Sequence, residues 1–287
     1  MLARHRRIAL FASAALLGAS SPALAQDFHF STGAPDGLLA SASRPDGPSG
    51  IEIESADDFV LTQETAITNG AFTGLVPANS TATNLIVEIY RVFPLDSTVP
   101  PSGNVTTRSN SPSDVALTTR DASLGELVYS TATLNPTFTT ANSVINGINP
   151  LPGEFTGGEG PVTGQEITFS FSFSSPLDLL ADHYFFVPQV ELSDGTFLWL
   201  SAARPIVAPG TPFPAGTTDL QSWIRNENLS PDWLRIGTDI THQGPFNAVF
   251  SLDGHSVPEP ASWTMMIAGF AALGLALRRR QGRPAVA

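Results

Sequence analysis

Residues 51–256 predict an all-β domain, an antiparallel two-sheet β-sandwich that is jelly-roll-like, with a barrel as the runner-up. Three observations carry the reading. Ile167, Phe169, Phe171 and Phe173 alternate with Thr168, Ser170 and Ser172, the strict period of two that marks a half-buried strand. Short runs of Val, Ile, Phe and Tyr recur along the chain, separated by Gly, Pro and Asp-Gly steps that turn the backbone. Helical periodicity is almost missing, and no internal repeat suggests a solenoid or propeller.

In chain order, residues 26–50 are small and polar, broken by Asp36-Gly37 and Asp46-Gly47. They predict an irregular N-terminal arm with one early strand at 27–31. Ile51-Glu52-Ile53-Glu54 alternates and residues 56–61 follow, giving two short strands or one bent one. Residues 66–72 continue the pattern, with Asn69-Gly70 as a turn or bulge. Residues 85–93 are apolar on both faces, as a central strand requires, and Pro94 ends them. Residues 94–120 read as a long loop, 126–133 as a strand and 135–164 as a turn-rich tract. Residues 183–190 and 196–200 form a hairpin candidate through Ser193-Asp194-Gly195. Thr218 with Gln221 predicts a capping box for one helix at 219–226, and Ser230-Pro231-Asp232 a further helical turn. Phe246, Ala248, Phe250 and Leu252 alternate in the last strand, before Asp253-Gly254.

The charge is lopsided. Of 26 acidic residues all but Glu259 lie between 26 and 256, facing seven arginines and no lysine, a net −18 over that stretch. Such a surface repels nucleic acid and anionic headgroups, so no nucleic-acid partner is expected. No cysteine is present, so stability must come from a buried core, for which 231 residues suffice.

Both ends carry targeting patterns. Arg4, Arg6 and Arg7 precede an apolar run at 8–18, and Ala23-Leu24-Ala25 is a small-x-small cleavage site. Residues 1–25 thus read as a signal peptide, with Gln26 the first mature residue. At the other end Val257-Pro258-Glu259-Pro260 blocks any helix until Pro260 is passed. Residues 261–277 are then an apolar helix of about 26 Å, at the short end for a transmembrane span. Arg278, Arg279 and Arg280 end it and should stay cytoplasmic, which places everything before Val257 outside the inner membrane. The order of Pro-Glu-Pro motif, single span, arginine cluster and chain end over 257–287 resembles the PEP-CTERM sorting signal of exported bacterial proteins. The resemblance implies an address: a membrane enzyme of exosortase type cuts near the motif, and the protein passes from transient membrane anchoring to the cell surface or the extracellular space.

Catalytic chemistry is harder to read. His183 and His242 are the histidines away from the ends, no Gly-x-Ser-x-Gly elbow exists, and no catalytic residue is assigned. Zinc is rejected for lack of His-x-His or His-Glu-x-x-His spacing. No cofactor is expected, with calcium the one candidate, through Asp57, Asp58, Asp194, Asp253 and the Glu154/Glu159 loop. Trp199, Trp223 and Trp233 are candidate carbohydrate-stacking residues, against the commoner role of tryptophan in a core. Two functions stand: a non-catalytic surface or matrix protein contacting exopolysaccharide, or a secreted polysaccharide-acting enzyme, a glycosidase or lyase built on carboxylates.

Overall fold

The computed structural model describes residues 26–48, 50–100, 103, 105–146, 148, 155–206, 208–209, 213–257, 267–274 and 278. Residues Ala25–Val257 form one compact unit, and the chain ends form a second.

The domain is a two-sheet β structure. Its strands are β1 (Asp27–Ser31), β2 (Pro35–Ala42), β3 (Ile53–Leu61), β4 (Thr65–Val76), β5 (Ala82–Arg91), β6 (Thr118–Asp121), β7 (Leu127–Thr140) and β8 (Asn142–Val144). They continue with β9 (Val162–Leu179), β10 (Asp182–Leu192), β11 (Leu198–Ala202), β12 (Trp223–Asn226), β13 (Leu234–Arg235), β14 (Asn247–Ala248) and β15 (Phe250–Ser256). Nine strands form one sheet, ordered β1-β15-β4-β11-β2-β8, with β14 on β11, β9 on β4 and β7 on β9. Six form the other, ordered β13-β12-β3-β10-β5-β6.

The core lies between the sheets. Phe59, Leu61, Val87, Ile89, Tyr184 and Phe186 from the six-stranded sheet meet Phe72, Phe169, Phe171, Trp199, Phe250 and Leu252 from the nine-stranded one. The period-two strand falls where predicted: Phe169 and Phe171 are buried, Ser170 and Ser172 exposed, and Thr168 half-buried. Gly74 is fixed by this packing, because a Cβ there would sit 2.2 Å from the Phe197 ring.

Several sequence expectations are corrected. The arm at 26–50 is not irregular: Pro35–Ala42 is a strand inside the nine-stranded sheet, paired with β11 on one side and β8 on the other. Its small side chains, Ala40, Ser41 and Ala42, fit a position buried on both faces, where a pattern search sees only low hydrophobicity. The strand at 126–133 extends to Thr140, and residues 142–144 add β8 within the tract read as turns. The Asp194-Gly195 hairpin does not form. Both edges of β10 are taken by β3 and β5, so the turn carries the chain across to β11 in the other sheet. The helix at 219–226 is absent: Gln221 has a positive φ of 57°, and 223–226 is strand β12 on β3. Trp223 and Ile224 pack into different apolar clusters, which alternation permits and a helix would not. Ser230-Pro231-Asp232 is a turn, and a single π-type turn, Ile236–Ile240, follows it.

Residues 267–274 are helical, with Ile267, Phe270 and Leu273 exposed. Among the described residues no helix is long and apolar enough to cross a membrane. The remainder of the expected span, the signal peptide with Ala23 and Ala25, and Pro258, Glu259, Pro260, Arg279 and Arg280 lie outside the described residues.

Candidate functional site

The most concentrated ionisable chemistry sits on the outer face of the six-stranded sheet. Strand alternation points Phe59 and Leu61 of β3 inward and Glu54 and Ala56 outward. On β5 the same rule turns Glu88 and Tyr90 outward, on β10 Gln189, and on β12 Arg225. Antiparallel pairing of β12 with β3 sets Arg225 opposite Glu54, and pairing of β10 with β5 sets Gln189 opposite Ile86, two residues along from Val187↔Glu88 and on the same face. The long loop after β5 and residues 227–233 fold back over this face.

Arg225 is bound on several sides. It donates to both oxygens of Glu54, to Tyr90 Oη at 2.9 Å and to the Asp114 carbonyl at 3.0 Å. Its guanidinium lies 4.4 Å from the Trp233 ring. Burial opposes its charge, but Glu54 beside it holds the guanidinium pKa above its ordinary value. The Tyr90 hydroxyl lies 2.6 Å from Glu54 and 3.2 Å from Glu88. Gln189 Nε2 donates to Glu52 at 3.1 Å and to Glu88 at 3.3 Å, and Thr119 Oγ1 donates to Glu88 at 3.1 Å. Three carboxyl groups thus share one arginine. Burial, with Glu54 close by, pushes Glu88 up to about 7 and raises Glu52. A second ion pair, Arg108 with Asp114 and Asp232, locks the covering loop.

The raised Glu88 carries a pH prediction. The folded protein keeps its proton up to about pH 7, while the unfolded chain releases it near 4.5. The folded state binds the extra proton in that window, so stability is full below it and falls as pH rises through it. The fall attributable to Glu88 should be about 3 kcal/mol. Glu88→Gln keeps the neutral shape and should flatten the curve by that amount in urea titrations from pH 4.5 to 8. An equal decline in both proteins would show that Glu88 ionises normally.

The acids proposed for calcium do not gather. Asp57 faces the sandwich, where Ser222 Oγ and the Ala248 N–H each donate to it at 2.9 Å, stitching β3 to β14. Burial, with Asp58 and Asp219 nearby, raises it well above the usual carboxylate range. Asp58 faces the other way, 2.6 Å from His183 Nε2, and accepts from the Leu220 N–H at 3.0 Å. Asp194 is exposed in a turn, and Asp253 is 2.6 Å from His29 Nδ1. Glu159 accepts from the Asn146 N–H at 2.7 Å, and Glu154 lies outside the described residues. Among the described residues no three acidic or histidine side chains are grouped to hold a metal.

The tryptophan expectation is corrected. Trp199, Trp223 and Trp233 are 1%, 1% and 0% exposed, so none offers a stacking face. Trp199 donates to the Val249 carbonyl at 2.7 Å and Trp233 to that of Ser113 at 3.2 Å. The burial of large apolar area, with the Trp199 and Trp233 indoles also finding a backbone acceptor, outweighs any gain from solvent exposure. Sequence reasoning missed the Glu54–Glu88–Tyr90–Arg225 network. The available signal was Glu88, an acid in a strand apolar on both faces, which has to find partners when buried.

At the domain's end the geometry is also specific. The Gln26 N–H donates to Ser256 Oγ at 2.7 Å, and the Ser256 N–H to the Gln26 carbonyl at 2.8 Å. β1 pairs with β15, and the Val257 N–H donates to the Glu64 carbonyl. β15 ends at Ser256, and in sequence the residues with the Pro-Glu-Pro motif follow directly. A β-sandwich ending in such a segment defines an exported protein delivered by a C-terminal sorting signal. That signal is of one kind: residues 256–280 match the PEP-CTERM protein-sorting motif, which implies processing by an exosortase-type enzyme. No curated protein and no solved structure matches the chain.

Proposed function

We propose that the protein is a non-catalytic cell-surface or extracellular-matrix module, delivered by its sorting tail and contacting exopolysaccharide. The sorting motif at 256–280 supports the destination. The contact is supported by one observation, a hydroxyl row across the outer face of the nine-stranded sheet. The registers align Ser130, Ser170, Ala71, Ser251 and Ser31 over five neighbouring strands. At roughly 4.8 Å between strands the row spans about 19 Å, long enough to meet several sugar units edge on. It replaces the tryptophans as the candidate contact surface.

The alternative, a carboxylate-based enzyme, has a close pair to consider. Glu54 and Glu88 lie 2.6 and 3.2 Å from the same Tyr90 hydroxyl, and Glu54 is also taken by Arg225. One preparation tests the reading: the surface form of the protein, mixed with the host's exopolysaccharide. Its intact mass should lack residues 263–277, and its melting temperature should rise as polysaccharide is added. Shortening of the polysaccharide during incubation overturns the non-catalytic reading. No rise in melting temperature overturns the contact.

A further inference from the structure

We infer that β7 is a self-association edge, pairing antiparallel with β7 of a second copy about a two-fold axis. Among the described residues, β7 is hydrogen-bonded to β9 alone, which leaves its other edge unpaired over 14 residues. Residues 130–137 are exposed throughout, so neither sheet face covers them. Unpaired edges of this length are aggregation templates, and proteins blunt them with short strands, charge, bulges or proline.

The other edges in this fold are blunted. β8 has three residues, β13 and β14 two each, β6 is four residues with Arg120 and Asp121, and β1 is five with Asp27 and His29. β7 differs from all of them. Its sequence, Leu127-Val128-Tyr129-Ser130-Thr131-Ala132-Thr133-Leu134-Asn135-Pro136-Thr137-Phe138-Thr139-Thr140, has no charged residue. The domain around it carries a net −18, so this is a stretch where two copies can approach without bringing carboxylates together.

The sequence is also self-complementary. Pro136 has no N–H, and the ladder to β9 slips between Thr133 and Asn135 and again before Phe138, so the longest uninterrupted pairing, residues 127–133, lies ahead of the proline and only residues 138–140 pair after it. A two-fold through Thr131 uses residues 127–135 and leaves Pro136 outside. It sets Val128 opposite Leu134 of the other copy, and these are the strand's most exposed large apolar residues, at 67% and 58%. Thr131 meets its own mate, as isologous symmetry requires. This inference does not depend on the polysaccharide reading.

The absence of native cysteine makes the test clean. The full-length chain carrying Thr131→Cys, Ser130→Cys or Ala132→Cys is produced in an exporting bacterial host and oxidised on intact cells with copper phenanthroline. A reducible band at twice the monomer mass should form several-fold more strongly from these sites than from Thr83→Cys, an exposed position on β5 in the other sheet. Its yield should rise with salt, because screening relaxes the repulsion between acidic copies. Adding Glu at two of the three positions beside the cysteine should abolish the band while surface expression stays unchanged, since all three side chains are exposed. Equal yield from position 83, no dimer from any of the three, or survival of the band with the added glutamates overturns the inference. An adduct with a different protein overturns it in favour of strand exchange with that protein.

Discussion

Arg225→Met should destabilise the protein by about 3–5 kcal/mol, as expected when one partner of a buried ion pair is removed. The size follows from what is left behind. Glu54 is 3% exposed and already has Glu52 and Glu88 as neighbours, so without Arg225 three carboxyl groups face one another with no cation among them. The Asp114 carbonyl and the Tyr90 hydroxyl lose a donor as well. Methionine fills much of the space, so the loss reports charge rather than a cavity. Arg225→Lys should recover only part of it, because an ammonium cannot make the forked contact with Glu54 or stack on Trp233. Combining Arg225→Met with Glu54→Gln should cost less than the sum of the two single changes, since the second removes the charge the first strands. Urea titration of the four variants measures all of this. A loss under about 1 kcal/mol for Arg225→Met would mean the loop above, not the ion pair, holds this face together.

The distribution of arginine explains why the acidic surface is so bare. Arg91, Arg108, Arg204, Arg225 and Arg235 each pair with a carboxylate of the same domain. Five of the seven arginines between 26 and 256 are thus used internally, which leaves little positive charge for the outer faces. The hydroxyl row and the β7 edge are uncharged, and they are the places where the two proposals put a partner.

Legibility in the sequence followed the strength of local pattern. The phenylalanine strand and the central strand at 85–93 were visible because one alternates and the other does not, and burial on one or both faces leaves those signatures. β2 was hidden because Ala and Ser pack between neighbours without a hydrophobic signal. The helix at 219–226 was read from a capping box, but β3 needed a neighbour, and Trp223-Ile224-Arg225-Asn226 fills that edge. Tertiary demand overrode local preference there. Asp194-Gly195 did make a turn, yet a turn says nothing about which sheet the next strand joins. The site was hidden for a related reason. Ile51-Glu52-Ile53-Glu54 alternates like a strand with its glutamates on the solvent side, yet Glu54 is buried and Glu52 half-buried in the structure. The sorting motif needed no such context, being written in contiguous residues.

Phe171→Ala tests the centre of that core and should cost about 3–5 kcal/mol. Phe171 is 2% exposed, and its ring stacks on Phe186 of the opposite sheet at 5.8 Å, with Phe173 at 5.2 Å and Phe72 at 6.3 Å. It therefore joins β9 to both its own sheet and the other one. Collapse around the gap is hindered, because Gly70 on β4 already lets the Phe171 ring approach the backbone: a Cβ there would lie 2.7 Å from it. A cavity that cannot close keeps its full penalty, which places the expectation at the upper part of the range. Ser170→Ala, one residue away on the exposed face, should change stability by less than about 0.5 kcal/mol. The contrast between the two is the measurement: it follows from strand alternation alone, and a register shifted by one residue would exchange them.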